Sequence, residues 1–268
     1  MQLAEHSCII VERQLIYSAD LHRYVTVDFY LPKNVVDPSA LSLLLINDGQ
    51  DLSKMPFDTL LNGLMESGQM KPVLCVGVHA GRDRKMEYGT AKVLDFQGRG
   101  ARAAAYERFV LNKLLPHVHS FYCIESFSTK AIAGFSLGGL SAIDSAWSHP
   151  DVFRIAGVFS GSLWWRIRDL EDGYVEETDR IMHQQVRKGK HHKGLRFYFT
   201  TGSLDETSDR NHNGIIDSID DTLSLIGELK EKGYTDKDIC YVNYEDGRHD
   251  VATWGRAFPH FLLWAFGK

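Results

Sequence analysis

Residues 130–143 read Lys-Ala-Ile-Ala-Gly-Phe-Ser-Leu-Gly-Gly-Leu-Ser-Ala-Ile, and this stretch decides the fold. Its first half is an apolar run typical of a buried strand, and a helix is predicted to begin at Leu137. Ser136 would therefore occupy a sharp turn at the carboxyl edge of a sheet. Small residues at Gly134 and Gly138 are needed because larger side chains would collide with the adjoining strand and helix. The pattern predicts a nucleophile elbow, with the Leu137 N–H as an oxyanion donor; the alternative is a tight turn without chemistry.

Seven further apolar runs of strand length surround this stretch. The first two alternate in polarity, which predicts an antiparallel pair at a sheet edge. Most later runs are continuous and are separated by segments with helical periodicity, which predicts an α/β fold with a mostly parallel sheet of about eight strands covered by helices on both faces. We expect one domain over residues 1–268. The predicted strands are 6–18, 24–32, 41–48, 72–80, 129–135, 155–160, 195–201 and 238–244, and the predicted helices are 57–67, 101–117, 140–148, 221–232 and 257–266.

The composition excludes several classes of protein. The net charge is −5 and acidic and basic residues are interleaved, which argues against binding to nucleic acid. No apolar run reaches the roughly 18–20 residues of a membrane span, so no membrane partner is expected. Residues 1–6 lack the features of a signal peptide, so we expect a cytoplasmic protein, or a periplasmic or secreted one if a signal was removed. The sequence is compatible with a homo-oligomer.

The four cysteines are scattered and show no CxxC spacing. They are predicted to be buried free thiols, with no disulfide framework and no metal site among them.

A serine nucleophile needs a base and an acid to orient that base. His249 follows the last predicted strand, which is where this fold places its base. Other histidines fit worse: His117 and His119 precede Ser136, His191 and His192 lie in a basic run, and His260 lies within the last helix. The preceding predicted strand leads into Asp205 and Glu206. Asp205 is our preferred acid, and Glu206, one residue further, stays open as an alternative.

The second oxyanion donor is expected in the loop after the predicted strand 41–48, which contains an Asn-Asp-Gly-Gln-Asp-Leu sequence. The backbone N–H of Gln50 is the first choice and that of Asp51 the second. An ordinary Asp-Gly turn is the alternative.

Three residues are candidates for contact with a small-molecule substrate. Trp164 and Trp165 follow another central strand and are predicted to form an aromatic wall, or else to pack beneath a loop. Arg84 follows the strand ending near residue 80 and is a candidate contact for an anionic group. Exposed surface charge, or a pair with Glu87 that orders the loop, is the alternative for Arg84.

With these residues assembled, the chain resembles the putative-esterase family, which includes enterochelin esterases, esterase D and feruloyl esterase domains. The resemblance extends from about residue 25 to residue 266. It implies an α/β-hydrolase fold, hydrolysis of carboxylic esters through an acyl-enzyme, no catalytic cofactor, and Asp205 in the acid position. It rests on Asn-Asp-Gly-Gln-Asp-Leu at 47–52, Gly-Phe-Ser-Leu-Gly-Gly at 134–139, Phe-Ser-Gly-Ser at 159–162, Gly-Ser-Leu-Asp at 202–205 and Gly-Arg-His-Asp at 247–250.

One departure from the family pattern is a polar stretch after Asp205 that has the spacing of an EF-hand calcium loop. Oxygen ligands stand at loop positions 1, 3, 5, 9 and 12, a glycine stands at position 6, and a backbone carbonyl would serve at position 7. We expect a weak structural Ca²⁺ site because two ligands are neutral amides; a polar turn that caps the following helix is the alternative. The predicted ligands are Asp209, Asn211, Asn213, Ile215, Asp217 and Asp220.

These residues predict a serine carboxylesterase in which Ser136, His249 and Asp205 form the triad. A siderophore lactone, a phenolic ester and a carbohydrate ester are the candidate substrates. The alternatives are an acyltransferase of the same fold and a non-catalytic carbohydrate-binding relative.

Overall fold

The computed structural model describes residues 7–33 and 35–268. Residues 1–6, on which the signal-peptide prediction rests, and residue 34 lie outside the described part of the chain. Eight strands within that part form one sheet in the order β1-β2-β4-β3-β5-β6-β7-β8. They are β1 (Ile9–Ser18), β2 (Arg23–Pro32), β3 (Ser42–Asn47), β4 (Val73–Val78), β5 (Lys130–Phe135), β6 (Ile155–Phe159), β7 (Arg196–Leu204) and β8 (Ile239–Arg248).

The register of the sheet confirms the predicted α/β architecture. The β1 strand pairs antiparallel with β2, and β2 pairs antiparallel with β4, whereas all other neighbours pair in parallel. Because parallel strands share one direction, the loops that follow β3, β5, β6, β7 and β8 all emerge at the same edge of the sheet. The predicted catalytic residues lie in these loops.

Helices cover both faces of the sheet. Phe57 and Phe258 belong to a core on one face, and Phe109 and Leu140 belong to a separate core on the other. A π-helical turn, Val110–Leu114, joins α3 to α4. The α-helices of the described residues are α1 (Phe57–Glu66), α2 (Arg84–Glu87), α3 (Ala103–Phe109), α4 (Leu115–Phe121), α5 (Leu137–Ser148), α6 (Glu176–Asp179), α7 (Ile181–Lys188), α8 (Asp217–Glu231) and α9 (Val251–Phe266).

Several helix boundaries differ from the predicted ones. The α8 helix begins at Asp217 and not at 221, and α9 begins at Val251 and not at 257. The first turn of α8 carries a single apolar residue, Ile219, so periodicity alone misses it. The start of α9 is fixed by a cap, because the side chain of Asp250 accepts a hydrogen bond from the Thr253 N–H at 2.8 Å.

Two further observations concern the predicted class of protein. Within the part of the chain that the structure describes, no helix combines the length and the apolar character needed to cross a membrane. The four cysteines are free, as predicted, but only Cys75 is fully buried. Cys123 is exposed, so the prediction that all four are buried is wrong, because this residue lies beyond the end of α4 and not within a strand.

Candidate active site

Ser136 lies on the sharp turn between β5 and α5, in a backbone conformation that non-glycine residues rarely adopt, with φ +54° and ψ −120°. Its N–H donates to the Phe159 carbonyl at 2.8 Å. A Cβ atom at Gly134 would lie 2.3 Å from the Gly138 carbonyl oxygen, and one at Gly138 would lie 2.6 Å from a carboxylate oxygen of Asp48. The two glycines are therefore required by close packing of the strand, the turn and the helix.

Backbone strain clusters at this edge of the sheet. Asp48, Ser136 and Ser160 follow β3, β5 and β6, and their φ angles are +60°, +54° and +45°. Such conformations persist only where surrounding contacts enforce them, and they concentrate at functional sites. Asp48, Ser160 and Ser162 were not among the predicted site residues. The available signal was that Asp48 and Ser160 directly follow buried strands, with Ser162 two residues further on.

A cleft of about 270 Å³ opens at the same edge. Ser162 is part of it, and its hydroxyl lies 3.4 Å from the Ser136 hydroxyl. The cleft brings together three residues that are distant in sequence and that were predicted to form a triad. Its lining residues are Ser136, Ser160, Gly161, Ser162, Trp164, Asp205, Glu206, Ser218 and His249.

His249 lies between the last residue of β8 and the capping residue of α9, on the exposed rim of the cleft. Its ring packs edge-on against Trp254, with centroids 5.3 Å apart. The surrounding protein desolvates the imidazolium and lowers the pKa of His249, Asp205 opposes that shift, and Arg84 adds to it. A base with a lowered pKa is neutral at pH 7 and can accept the proton of a serine hydroxyl.

Asp205, the predicted orienting acid, lines the same cleft as His249. One carboxylate oxygen accepts a hydrogen bond from the Gly202 N–H at 3.0 Å. The other oxygen is buried and makes no hydrogen bond with the described residues. Neither a hydrogen bond from the Ser136 hydroxyl to the His249 ring nor one from the His249 ring to the Asp205 carboxylate is formed among the described residues in this conformation. In ligand-free sites such bonds are often long and tighten when substrate binds.

Glu206, the alternative acid, also lines the cleft. Burial raises the pKa of Glu206, the Ser218 backbone N–H opposes that shift, and the carboxylates of Asp217, Asp221 and Asp205 add to it. Glu206 is not among the charged groups that act on His249, whereas Asp205 is. The charge of Asp205, and not that of Glu206, therefore acts on the pKa of His249, and the choice between the two acids stays a prediction.

The two predicted oxyanion donors lie on opposite sides of the elbow. Leu137 is the first residue of α5, so its N–H belongs to the free donors at a helix start. Gln50 lies in a 3₁₀ turn, Gly49–Lys54, that follows β3. The Gln50 side chain holds this turn, because its amide donates to Asp48 at 3.1 Å and its oxygen accepts from the Ala80 N–H at 3.0 Å. The assignment of both N–H groups to an oxyanion hole stays a prediction.

The three predicted substrate contacts have different environments. Trp164 lines the cleft. Trp165 is only 1% exposed and packs against Gly89, so it lies beneath the loop and does not reach the cleft. Packing of the large apolar ring inside the protein is more favourable than leaving it exposed. The expected contact of Trp165 with substrate is therefore wrong, and the alternative, packing beneath a loop, describes this residue.

Arg84 is held by the protein itself. Its guanidinium donates two hydrogen bonds to the buried carboxylate of Asp48, both at 2.7 Å, and a third to the Phe135 carbonyl at 3.3 Å. These bonds brace the elbow, and the expected contact of Arg84 with a substrate stays a prediction. The alternative Arg84–Glu87 pair is wrong, since Glu87 pairs with Arg23.

The predicted calcium loop forms a turn stabilised by its own side chains. The Asp209 carboxylate accepts hydrogen bonds from the N–H groups of Asn213 and Gly214, at 3.1 and 2.9 Å. The Asn211 amide donates to Asp220 at 2.9 Å. In the described residues no three His, Cys, Asp or Glu side chains are gathered as a metal site. The three predicted aspartates are therefore not assembled around one point in this conformation, and calcium binding stays a prediction.

A family model described as "Putative esterase" matches residues 18–265. The chain belongs to the putative-esterase family. Membership supports the hydrolysis of carboxylic esters as its reaction. One relative of this chain is the uncharacterized protein YbbA of Bacillus subtilis, which is 22% identical over 251 residues. The alignment covers 89% of this chain and 91% of YbbA.

Solved structures share the fold of this putative-esterase chain. The enterobactin esterase of Shigella flexneri, solved in the presence of enterobactin, superimposes with a TM-score of 0.72 at 20% identity over 96% of this chain. This chain spans only 59% of that protein. A ferulic acid esterase gives a TM-score of 0.67 at 17% identity, covering 96% of this chain and 97% of that one. At these identities the likeness shows the fold alone.

Proposed function

We propose that the protein is a serine carboxylesterase with Ser136 as nucleophile, His249 as general base and Asp205 as the acid that orients it. The observation that supports this most directly is the shared cleft, which is lined by all three residues and in which Ser136 stands on a strained elbow. Family membership supports the reaction class. The enterobactin esterase and the ferulic acid esterase that share the fold of this chain suggest a siderophore ester or a phenolic ester as the substrate. A carbohydrate ester is the third candidate.

The proposed reaction has two steps. In the first, Ser136 Oγ bonds to the ester carbonyl carbon while His249 takes the hydroxyl proton, and the imidazolium then gives that proton to the departing alcohol. In the second, His249 takes a proton from water as the water oxygen bonds to the carbonyl carbon of the acyl-enzyme, and the imidazolium then returns that proton to Ser136 Oγ as the acyl bond breaks and the acid is released. The N–H groups of Leu137 and Gln50 stabilise the negative oxygen in both steps.

Substitution of the nucleophile tests this proposal. Ser136→Ala should lower kcat for 4-nitrophenyl butyrate by at least about 10⁴-fold, because no other group can form the acyl-enzyme. Thermal melting checks that the variant is folded. Normal turnover by a folded Ser136→Ala variant would overturn the proposal.

A matched control uses the second serine of the cleft. Ser162 lies beside Ser136 but lacks the elbow conformation. Ser162→Ala should lose less than about tenfold in kcat, and a fluorophosphonate probe should still label Ser136 in it. Labelling of Ser162 in the wild-type protein would contradict the assignment. A panel of feruloyl, acetyl-sugar and catecholate-lactone esters then separates the candidate substrates.

A further inference from the structure

Glu206 is a carboxylate in the catalytic cleft that the proposed mechanism does not use. The charged groups that act on it from the neighbouring elements are Asp205 on its own loop and Asp217 and Asp221 on α8, all of them acidic. No cation of the described residues forms an ion pair with it, since Arg210 bonds instead to Asp221 and Asp217. Apart from the Ser218 backbone N–H, no donor of the described residues acts on this carboxyl group, so its remaining acceptor sites are available to a hydrogen-bond donor from outside the protein.

Ser218 supplies a second free group at the same place. It lies in the first turn of α8, lines the cleft beside Glu206 and is only 7% exposed. Its hydroxyl oxygen is buried and makes no hydrogen bond within the described part of the chain. A buried hydroxyl without a partner costs free energy, and a ligand that bonds to it would recover that cost.

The Glu206 carboxylate and the Ser218 hydroxyl together suit a hydroxyl group on a ligand. A carboxylate only accepts hydrogen bonds, whereas a serine hydroxyl can also donate one. A ligand hydroxyl can donate to Glu206 and accept from Ser218 at once. An ammonium group cannot accept, and an anionic group would be repelled by the surrounding carboxylates.

We propose that Glu206 and Ser218 form a hydroxyl-binding subsite, so that the preferred substrate is an ester with a free neutral hydroxyl group close to the scissile bond. This inference rests on the proposed esterase function. It makes Glu206 a specificity-determining residue, and it favours hydroxy-acid, polyol or sugar esters over unsubstituted alkyl esters and over esters with an anionic group at that place.

Two matched pairs of substrates test the subsite, one for each side of the ester bond. The acyl pair is 4-nitrophenyl 3-hydroxybutyrate and 4-nitrophenyl butyrate, and the alcohol pair is glyceryl monobutyrate and propyl butyrate. In the wild-type enzyme we expect kcat/KM for the hydroxylated member of at least one pair to be roughly ten- to hundredfold higher, as for a hydrogen bond to a charged group. Glu206→Gln, Glu206→Ala and Ser218→Ala should each reduce that ratio at least threefold.

The ratio also gives a readout that a merely structural role of Glu206 would not move. Because both members of a pair depend equally on His249, the pH dependence of the base cancels in the ratio. Burial raises the pKa of Glu206 above its ordinary 4.5, so the wild-type ratio should rise with pH above that value as the stronger, ionised acceptor forms. In Glu206→Gln the ratio should not change with pH.

Controls separate this inference from the proposed function. Glu231→Gln changes an exposed carboxylate at the other end of α8 and should leave the ratio at the wild-type value. Melting curves identify any variant that fails to fold. If Ser136→Ala abolishes turnover but neither ratio changes in the folded Glu206 and Ser218 variants, the subsite is wrong and the esterase proposal stands. If Ser136→Ala keeps its turnover, the esterase proposal itself is wrong.

Discussion

His249 owes its chemistry to the charges and the burial around it. Desolvation lowers the pKa of its ring, and Arg84, although bonded to Asp48, lowers it further through space. Asp205 acts in the opposite direction. In the proposed mechanism the base must be neutral to accept the Ser136 proton, so we expect activity to fall at low pH as His249 gains a proton. The position of this acid limb of the pH profile should report the balance of these effects and of Asp250, which also raises the pKa of His249.

Removing one of these charges should move the acid limb in a known direction. The limb of the wild-type kcat/KM profile should lie below pH 6.5, the ordinary pKa of histidine. Arg84→Gln should shift it toward higher pH by a few tenths of a unit or more, because a nearby positive charge is lost. Arg84→Lys, which keeps the charge, is the control. A limb that stays in place in Arg84→Gln, or moves downward, would contradict the assignment of His249 as the base.

At the scale of elements, the elbow depends on close contact between β5, the turn and α5. We expect Gly134→Ala and Gly138→Ala each to lower the free energy of unfolding by more than about 2 kcal/mol, because the added Cβ would meet backbone or carboxylate atoms at 2.3 and 2.6 Å. Gly227→Ala in α8 is the matched control. Its Cβ would meet nothing within 4 Å, so this change should raise the free energy of unfolding by up to about 1 kcal/mol. Urea denaturation measures all three, and equal losses would refute the packing argument.

The loop before α8 is the second element with a testable property. If the loop binds calcium, millimolar Ca²⁺ should raise the melting temperature, because binding to the folded form alone stabilises it. Asp209→Ala should remove the shift, since its carboxylate is the first predicted ligand and also holds the turn. Asp236→Ala, an exposed acid paired with Lys230 outside the loop, should keep it. An unchanged melting temperature in the wild-type protein would rule the site out.

At the scale of the whole molecule, Asp144 connects three distant segments. This buried α5 residue accepts hydrogen bonds from the Ala91 N–H and from the Gln185 side chain, each at 2.8 Å. Burial raises the pKa of Asp144 from 3.8 to about 6. The folded protein therefore holds this proton more tightly than the unfolded chain. Its contribution to stability is greatest below pH 3.8 and is lost as the pH rises through about 6.

The Asp144→Asn variant lacks the titratable carboxyl group and so isolates its contribution to the pH dependence of stability. A shift of about two pKa units corresponds to roughly 3 kcal/mol. The difference in unfolding free energy between wild type and Asp144→Asn should thus change by about 3 kcal/mol in favour of the variant between pH 3.5 and pH 7. Denaturation at both pH values measures it. A constant difference would show that Asp144 titrates normally in the folded protein.

The sequence by itself determined the α/β architecture, the antiparallel edge pair and the elbow at Ser136. These features follow from local patterns: alternation, continuous apolar runs, and glycines that only a tight turn requires. It also determined His249 and Asp205 as candidates, because the carboxyl ends of parallel strands share one edge. The early starts of α8 and α9 were missed because capping and tertiary packing, not periodicity, fix them.

Only the tertiary structure decided what surrounds Ser136. It buried Trp165 and bound Arg84 to Asp48, because a large ring and a paired charge each gain more from protein contacts than from exposure. It also brought Glu206 and Ser218 into one cleft although they belong to different elements. Such neighbours depend on how the loop after β7 packs against α8, and no local pattern in the sequence encodes that distance.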